Sequence, residues 1–94
     1  LADITHIEVR NHSLAYHLTD GSEVRCRGSL ATVETELADA PLVKLSRYCM
    51  ANMALITAVS GDEVAMAGGT QLHISRGRKH DVEVALARYL GGRR

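Results

Sequence analysis

Apolar and polar residues alternate through Ile7-Glu8-Val9-Arg10, pause at Asn11-His12-Ser13, and alternate again at Leu14, Tyr16 and Leu18. A period of two marks a half-buried strand, so two strands are predicted here. Asp20-Gly21 then supplies a tight turn, because both residue types tolerate positive φ. Val24 and Cys26 alternate against Glu23, Arg25 and Arg27, which adds a third strand and opens the chain with a β-meander.

The period changes after Ser29. Leu30, Val33 and Leu37 recur at helical spacing, Ser29 is a capping residue, and Asp39-Ala40-Pro41 ends the run, which predicts a helix over residues 30–38. Residues 42–45 and 48–59 read as extended, although 50–55 suits a short helical turn equally well. Ser60-Gly61-Asp62 and Gly68-Gly69 bracket a strand over 63–67, and residues 70–75 pair back on it as a second hairpin. Val82, Ala85, Leu86, Tyr89 and Leu90 form an apolar stripe on a closing helix, with Gly91-Gly92 as its stop. The pattern as a whole predicts a mostly β, antiparallel fold with one short internal helix and one C-terminal helix.

Ninety-four residues suffice for one modest core and leave no room for a two-domain cleft, so residues 1–94 are expected to form a single domain. Leu1 in place of an initiator Met leads us to expect a piece of a longer protein. Phe and Trp are absent and Tyr occurs three times, which predicts an aliphatic core and argues against aromatic base-stacking platforms. No apolar run nears the length of a membrane span, and a cytoplasmic protein with no membrane partner is expected. Cys26 and Cys49 lack C-x-x-C spacing, and two reduced thiols are expected in place of a bridge.

Eleven Lys and Arg balance eleven Asp and Glu, so the formal net charge is zero. Weak nonspecific attraction to a polyanion follows. The signs are segregated, however: Arg76, Arg78, Lys79 and His80 are clustered, whereas Glu34, Glu36, Asp39, Asp62 and Glu63 fall elsewhere.

Five histidines raise the question of a metal, but His6, His12, His17, His73 and His80 lie on separate elements without zinc-type spacing, and no metal is expected. His6 and His17 are expected on exposed or half-exposed strand faces, because Ile7, Tyr16 and Leu18 take the apolar phase. No nucleophile elbow and no phosphate-binding glycine loop occurs, so neither a catalytic residue nor a cofactor is expected. Three polar groups at strand ends remain: Asn11-His12-Ser13, Lys44 with Ser46-Arg47-Tyr48, and Ser75-Arg76-Gly77-Arg78-Lys79. Such loops carry the donors and cations that read base edges and hold phosphates, and they also fit solvated strand ends. Composition leans to the second reading, and periodicity does not decide.

The order of motifs adds to this reading. I-x-x-I-E-V-x-N-H-S-L at 4–14, T-D-G at 19–21, R-G-S-L at 27–30, S-R-Y-C-M-A-N-M-A-L-I at 46–56 and G-G-T-Q-L-H-I-S-R-G-R at 68–78 follow one another. In that order the chain resembles LytTR-type DNA-binding domains, the output modules of many bacterial response regulators. The resemblance implies an elongated β-sandwich of antiparallel sheets whose loops enter successive major grooves of double-stranded DNA. It carries DNA contacts onto His12, Arg47 and Arg76. Asn11, Lys44, Ser75, Arg78 and Lys79 are adjacent positions assigned to phosphate or supporting contacts.

The resemblance further implies a transcriptional regulator, an upstream receiver or sensor domain, and pairing of two copies on DNA. The chain departs from the family pattern where H-R-S-x-x-V-N is replaced by Ser46-Arg47-Tyr48-Cys49-Met50-Ala51-Asn52, which puts groove contacts by Ser46 and Tyr48 in question. Asn52 matches the pattern and is expected to tie down a turn from within the core. Glu8 is expected to pair with a cross-strand Arg such as Arg25. The alternative from another class is an interaction or dimerisation module that keeps the scaffold and has lost DNA binding. A small enzyme or anion binder would require His12, Arg47 and Arg76 to converge on one pocket.

Overall fold

The computed structural model describes residues 3–92. Three strands, β1 (Ile4–Arg10), β2 (Ser13–Leu18) and β3 (Glu23–Arg27), form the expected meander. Helix α1 (Leu30–Glu36) follows, and then β4 (Leu42–Ser46), β5 (Cys49–Asn52), a 3-10 turn (Met53–Leu55) and β6 (Ile56–Ser60). The chain continues as β7 (Glu63–Met66), β8 (Gln71–His73) and α2 (Lys79–Gly91). All strand pairs are antiparallel, in a five-stranded sheet of order β3-β2-β1-β5-β4 and a three-stranded sheet of order β6-β7-β8.

The large sheet carries a core on each face. Ile7, Leu14 and Met50 pack on Leu30 and Val33 of α1, with Ile4, Val9, Tyr16, Leu37 and Leu42 around them. On the opposite face Val43, Leu45, Cys49 and Ala51 meet Val64, Met66, Leu72 and Ile74 of the small sheet region, and Val82 of α2. Each fully buried aliphatic side chain contributes roughly 1.5–3 kcal/mol, so both faces of the sheet add to its stability.

Helix α1 starts where Ser29 Oγ accepts from Thr32 N at 3.3 Å, and it ends at Glu36, two residues short of the expected end. Gly28 precedes it at φ +153°, and a Cβ there would meet Leu14 Cδ1 at 2.9 Å, so a bare backbone is needed for the chain to turn over the sheet. The 50–55 stretch divides between the two options open to it: β5 to Asn52, then the 3-10 turn. Asn52 makes that division. It is 2% exposed, its Oδ1 accepts from Ala54 N at 2.9 Å and its Nδ2 donates to Ile4 O at 2.7 Å, which is the structural role expected for it.

The molecule measures 33 × 27 × 26 Å, so the expected elongation is slight. Two pairings differ from expectation. Glu8 and Arg25 both lie opposite Ala15, one strand to either side, which leaves them two strands apart; Glu8 pairs with Arg10 at 3.2 Å, and Arg25 with Glu23 at 2.6 Å. Cys26 shares a row with Leu14, and Cys49 shares one with Glu8, so the two thiols face opposite sides of the sheet and both are free. Burial pushes the Cys49 thiol up to about 12.

Candidate nucleic-acid interface

Strand directions bring three loops to one end of the large sheet. The first is the two-residue turn between Arg10 and Ser13, where Asn11 and His12 have φ of +48° and +66°. Two consecutive left-handed residues give the type I′ geometry that matches strand twist. Asn accommodates this conformation, whereas a β-carbon on His12 costs about 1 kcal/mol relative to glycine. Both side chains project into solvent.

The second loop, Arg47-Tyr48, connects β4 to β5. Ser46 Oγ accepts from Tyr48 N at 3.1 Å, and Tyr48 O accepts from Val9 N at 2.9 Å, which fixes this tip beside the first. Arg47 is exposed, and Tyr48 is 58% exposed. With strands about 4.8 Å apart, the centres of these two turns lie about 10 Å from each other.

The third loop is stitched to β4. Ser75 N and Ser75 Oγ both donate to Leu45 O, at 2.9 and 3.3 Å, and Arg78 Nε donates to Lys44 O at 3.2 Å. Residues 75–78 close a turn through Arg78 N to Ser75 O at 3.1 Å, with Gly77 at φ +88° in the position where a type II turn demands it. Arg76 is thereby held at the apex, exposed, and α2 begins immediately afterwards.

The sequence-predicted residues therefore share one end but differ in freedom. Asn11, His12, Arg47, Arg76 and Lys79 are exposed. Lys44, Ser75 and Arg78 are half-buried and partly occupied: Lys44 Nζ lies 3.3 Å from Glu34 Oε1, and the other two hold the third loop to β4. Arg10, Lys44, Arg47, Arg76, Arg78 and Lys79 make six of the chain's eleven Lys and Arg, and segments 10–13, 44–48 and 75–80 contain no acid. A neutral chain thus presents a cationic end. Asp62 stands at its border, in a cleft of about 390 Å³ shared with His73, Arg76 and Lys79. That cleft includes neither His12 nor Arg47, so the convergence a small-ligand site would require is not found there.

One more cation reaches this end. Arg27 lies opposite Ser13 at the end of β3, beside the first turn. Only the register reveals its position.

The other end of the β1–β2 pair overturns the expectation for His6, whereas His17 is half-exposed as expected. His6 lies opposite His17, and their rings stack at 4.2 Å with a 7° interplanar angle. His6 is 6% exposed, because the turn after β7, with Ala67, Gly68 and Thr70, closes over the same cleft. Burial first, and then the His17 imidazole, hold His6 below the ordinary histidine range.

A family model described as the LytTr DNA-binding domain matches residues 1–87. This chain belongs to the LytTr DNA-binding domain family. The LytTr DNA-binding domain of a Bacillus cereus response regulator has the same fold, with a TM-score of 0.80 and 17% identity over 89% of this chain and 81% of that one. No curated protein sequence matches significantly. The LytTr frame accounts for the two antiparallel sheets and the two helices. Among the described residues, no helix is long and apolar enough to cross a membrane.

Proposed function

We propose that this LytTr domain recognises specific double-stranded DNA sequences with its three-loop end, as the output domain of a bacterial transcriptional regulator. The observation that carries this reading is the stitching of three acid-free loops onto one end of the sheet, with Arg47 and Arg76 unpaired at their apices. Arg76 and His12 read base edges, and Arg47 contacts DNA in or beside the intervening groove. Each contact supplies about 1–3 kcal/mol of discrimination where it is bidentate. Asn11, Lys44, Ser75, Arg78 and Lys79 hold phosphates or support the loops.

Residues 1–94 act as one recognition unit in a longer cytoplasmic regulator, behind a receiver or sensor domain that brings two copies to paired sites. The test is selection from a randomised duplex pool, followed by anisotropy titration of the winner and a scrambled duplex across salt concentrations. The expected result is an enriched motif and a shallow salt slope, since few phosphates are neutralised. Absence of enrichment from folded protein overturns the reading and favours an interaction module.

A further inference from the structure

The second place where ligand-type side chains meet is the cleft at the far end of the β1–β2 pair from the recognition loops. His6, Glu8 and His17 each offer one ligand atom, and these three atoms lie within 4.8 Å of one another. Glu8 Oε1 is 2.7 Å from His17 Nε2 and 3.9 Å from His6 Nε2. We propose that His6, Glu8 and His17 form a binding site for a borderline divalent cation, Zn²⁺ foremost.

The tautomer of His6 is already set for ligation. Thr5 Oγ1 donates to His17 O at 3.0 Å, so toward His6 Nδ1, 2.9 Å away, it acts as acceptor. His6 Nδ1 then carries the proton, and Nε2, on the side of Glu8, holds the lone pair. The His6 side chain is 92% buried, from an exposure of 8%, and is therefore held in place. Such a hydrogen bond on the distal nitrogen orients a metal-binding imidazole.

His17 gives an independent sign. Its Nε2 is buried yet makes no hydrogen bond, although a carboxylate oxygen stands 2.7 Å away, because the contact lies off the direction in which the ring nitrogen bonds. A buried polar atom without a partner is uncommon in a folded protein, and a cation would satisfy it.

Two imidazoles and one carboxylate are a donor set that suits zinc, with the remaining position left to water. Bonds of 2.0–2.2 Å bring tetrahedral ligand atoms to about 3.3 Å apart. Because the two rings now stack in parallel at 4.2 Å, their lone pairs lie in parallel planes, so ligation requires the half-exposed His17 ring to turn out of the stack until its Nε2 and that of His6 face one ion. The adjoining cleft of about 240 Å³, bordered by Thr19, Gly21 and Thr70, provides entry. Binding draws Glu8 away from Arg10, whose Nη2 is 3.2 Å from the same oxygen, and clamps the two strands that bear the Asn11-His12 turn.

The untagged chain, stripped with chelator, is to be titrated with Zn²⁺ alone by calorimetry and with Co²⁺ by absorption. The expected results are one site per chain, a tetrahedral cobalt spectrum, and a melting temperature that rises with Zn²⁺. Glu8→Gln and His17→Gln change half-exposed side chains and should leave a folded chain that binds at least about a hundredfold more weakly. His73→Asn removes the exposed histidine beside Asp62 and should change nothing. No saturable binding, or binding that survives Glu8→Gln and His17→Gln but is lost with His73→Asn, overturns the site.

Discussion

Two turns of the same meander solve one geometric problem in different ways. At the β2–β3 turn, Asp20 Oδ1 accepts from Ser22 N at 2.8 Å and from Ser22 Oγ at 2.5 Å, while Gly21 takes φ +88° without steric cost. At the β1–β2 turn, His12 occupies the left-handed region at φ +66°, its ring exposed and contributing nothing to the core. The first turn is built for stability. The second carries a residue that stability does not require, at the end of the sheet where Arg47 and Arg76 also stand free. A left-handed residue with an exposed side chain, placed beside other unpaired donors, supports the proposed role of this end.

The largest effect is expected at Arg76. Arg76→Ala should lower specific duplex affinity about tenfold to a hundredfold while leaving the melting temperature unchanged, as followed by anisotropy and circular dichroism. A loss of affinity only in proportion to lost structure would reduce Arg76 to a scaffold residue. His12→Gly sharpens the contrast because its two readouts move oppositely. Stability in urea should rise by about 0.5–1 kcal/mol as the strain is relieved, and specific affinity should fall at least about fivefold.

Asp20→Ala tests the other turn: it should lower the melting temperature slightly, through loss of the Ser22 hydrogen bonds, with no change in duplex binding. If it weakened binding as much as His12→Gly, the functional distinction between the two turns would collapse. The smallest effect belongs to Asp62→Asn. Removing the exposed acid at the border of the Arg76 loop should tighten binding by about twofold to fivefold at low salt, with the gain fading as salt is raised.

Much of this contrast was legible in the sequence. Alternation and Asp20-Gly21 placed β1, β2 and β3, Ser29 placed the start of α1, and Gly68-Gly69 placed the second hairpin. Each of these signals is local, so it survives without knowledge of the partner strand. The Cys49–Asn52 strand was harder, because it lies between β1 and β4 with a core on either face, and all four residues are buried. Alternation vanishes where both faces of a strand are covered.

At the three-loop end, the resemblance named loops that the fold brings to one end of the sheet, but residue chemistry alone could not distinguish a free cation from a structural one. Arg76 is exposed and Arg78 is tied to Lys44 O, yet the two are separated by a single glycine. The meeting of His6, Glu8 and His17 was invisible for a related reason. It depends on a register that pairs His6 with His17 after an irregularity between Ile4 and His6, and on the turn after β7 closing over them. Spacing along the chain records neither.

The most direct test of the central claim is amide mapping of the domain by NMR as a selected duplex is added. Shifts are expected to concentrate at residues 10–13, 46–48 and 75–79, with Thr19–Ser22 unaffected. Shifts centred on Thr19–Ser22, or spread evenly over the surface, would contradict it.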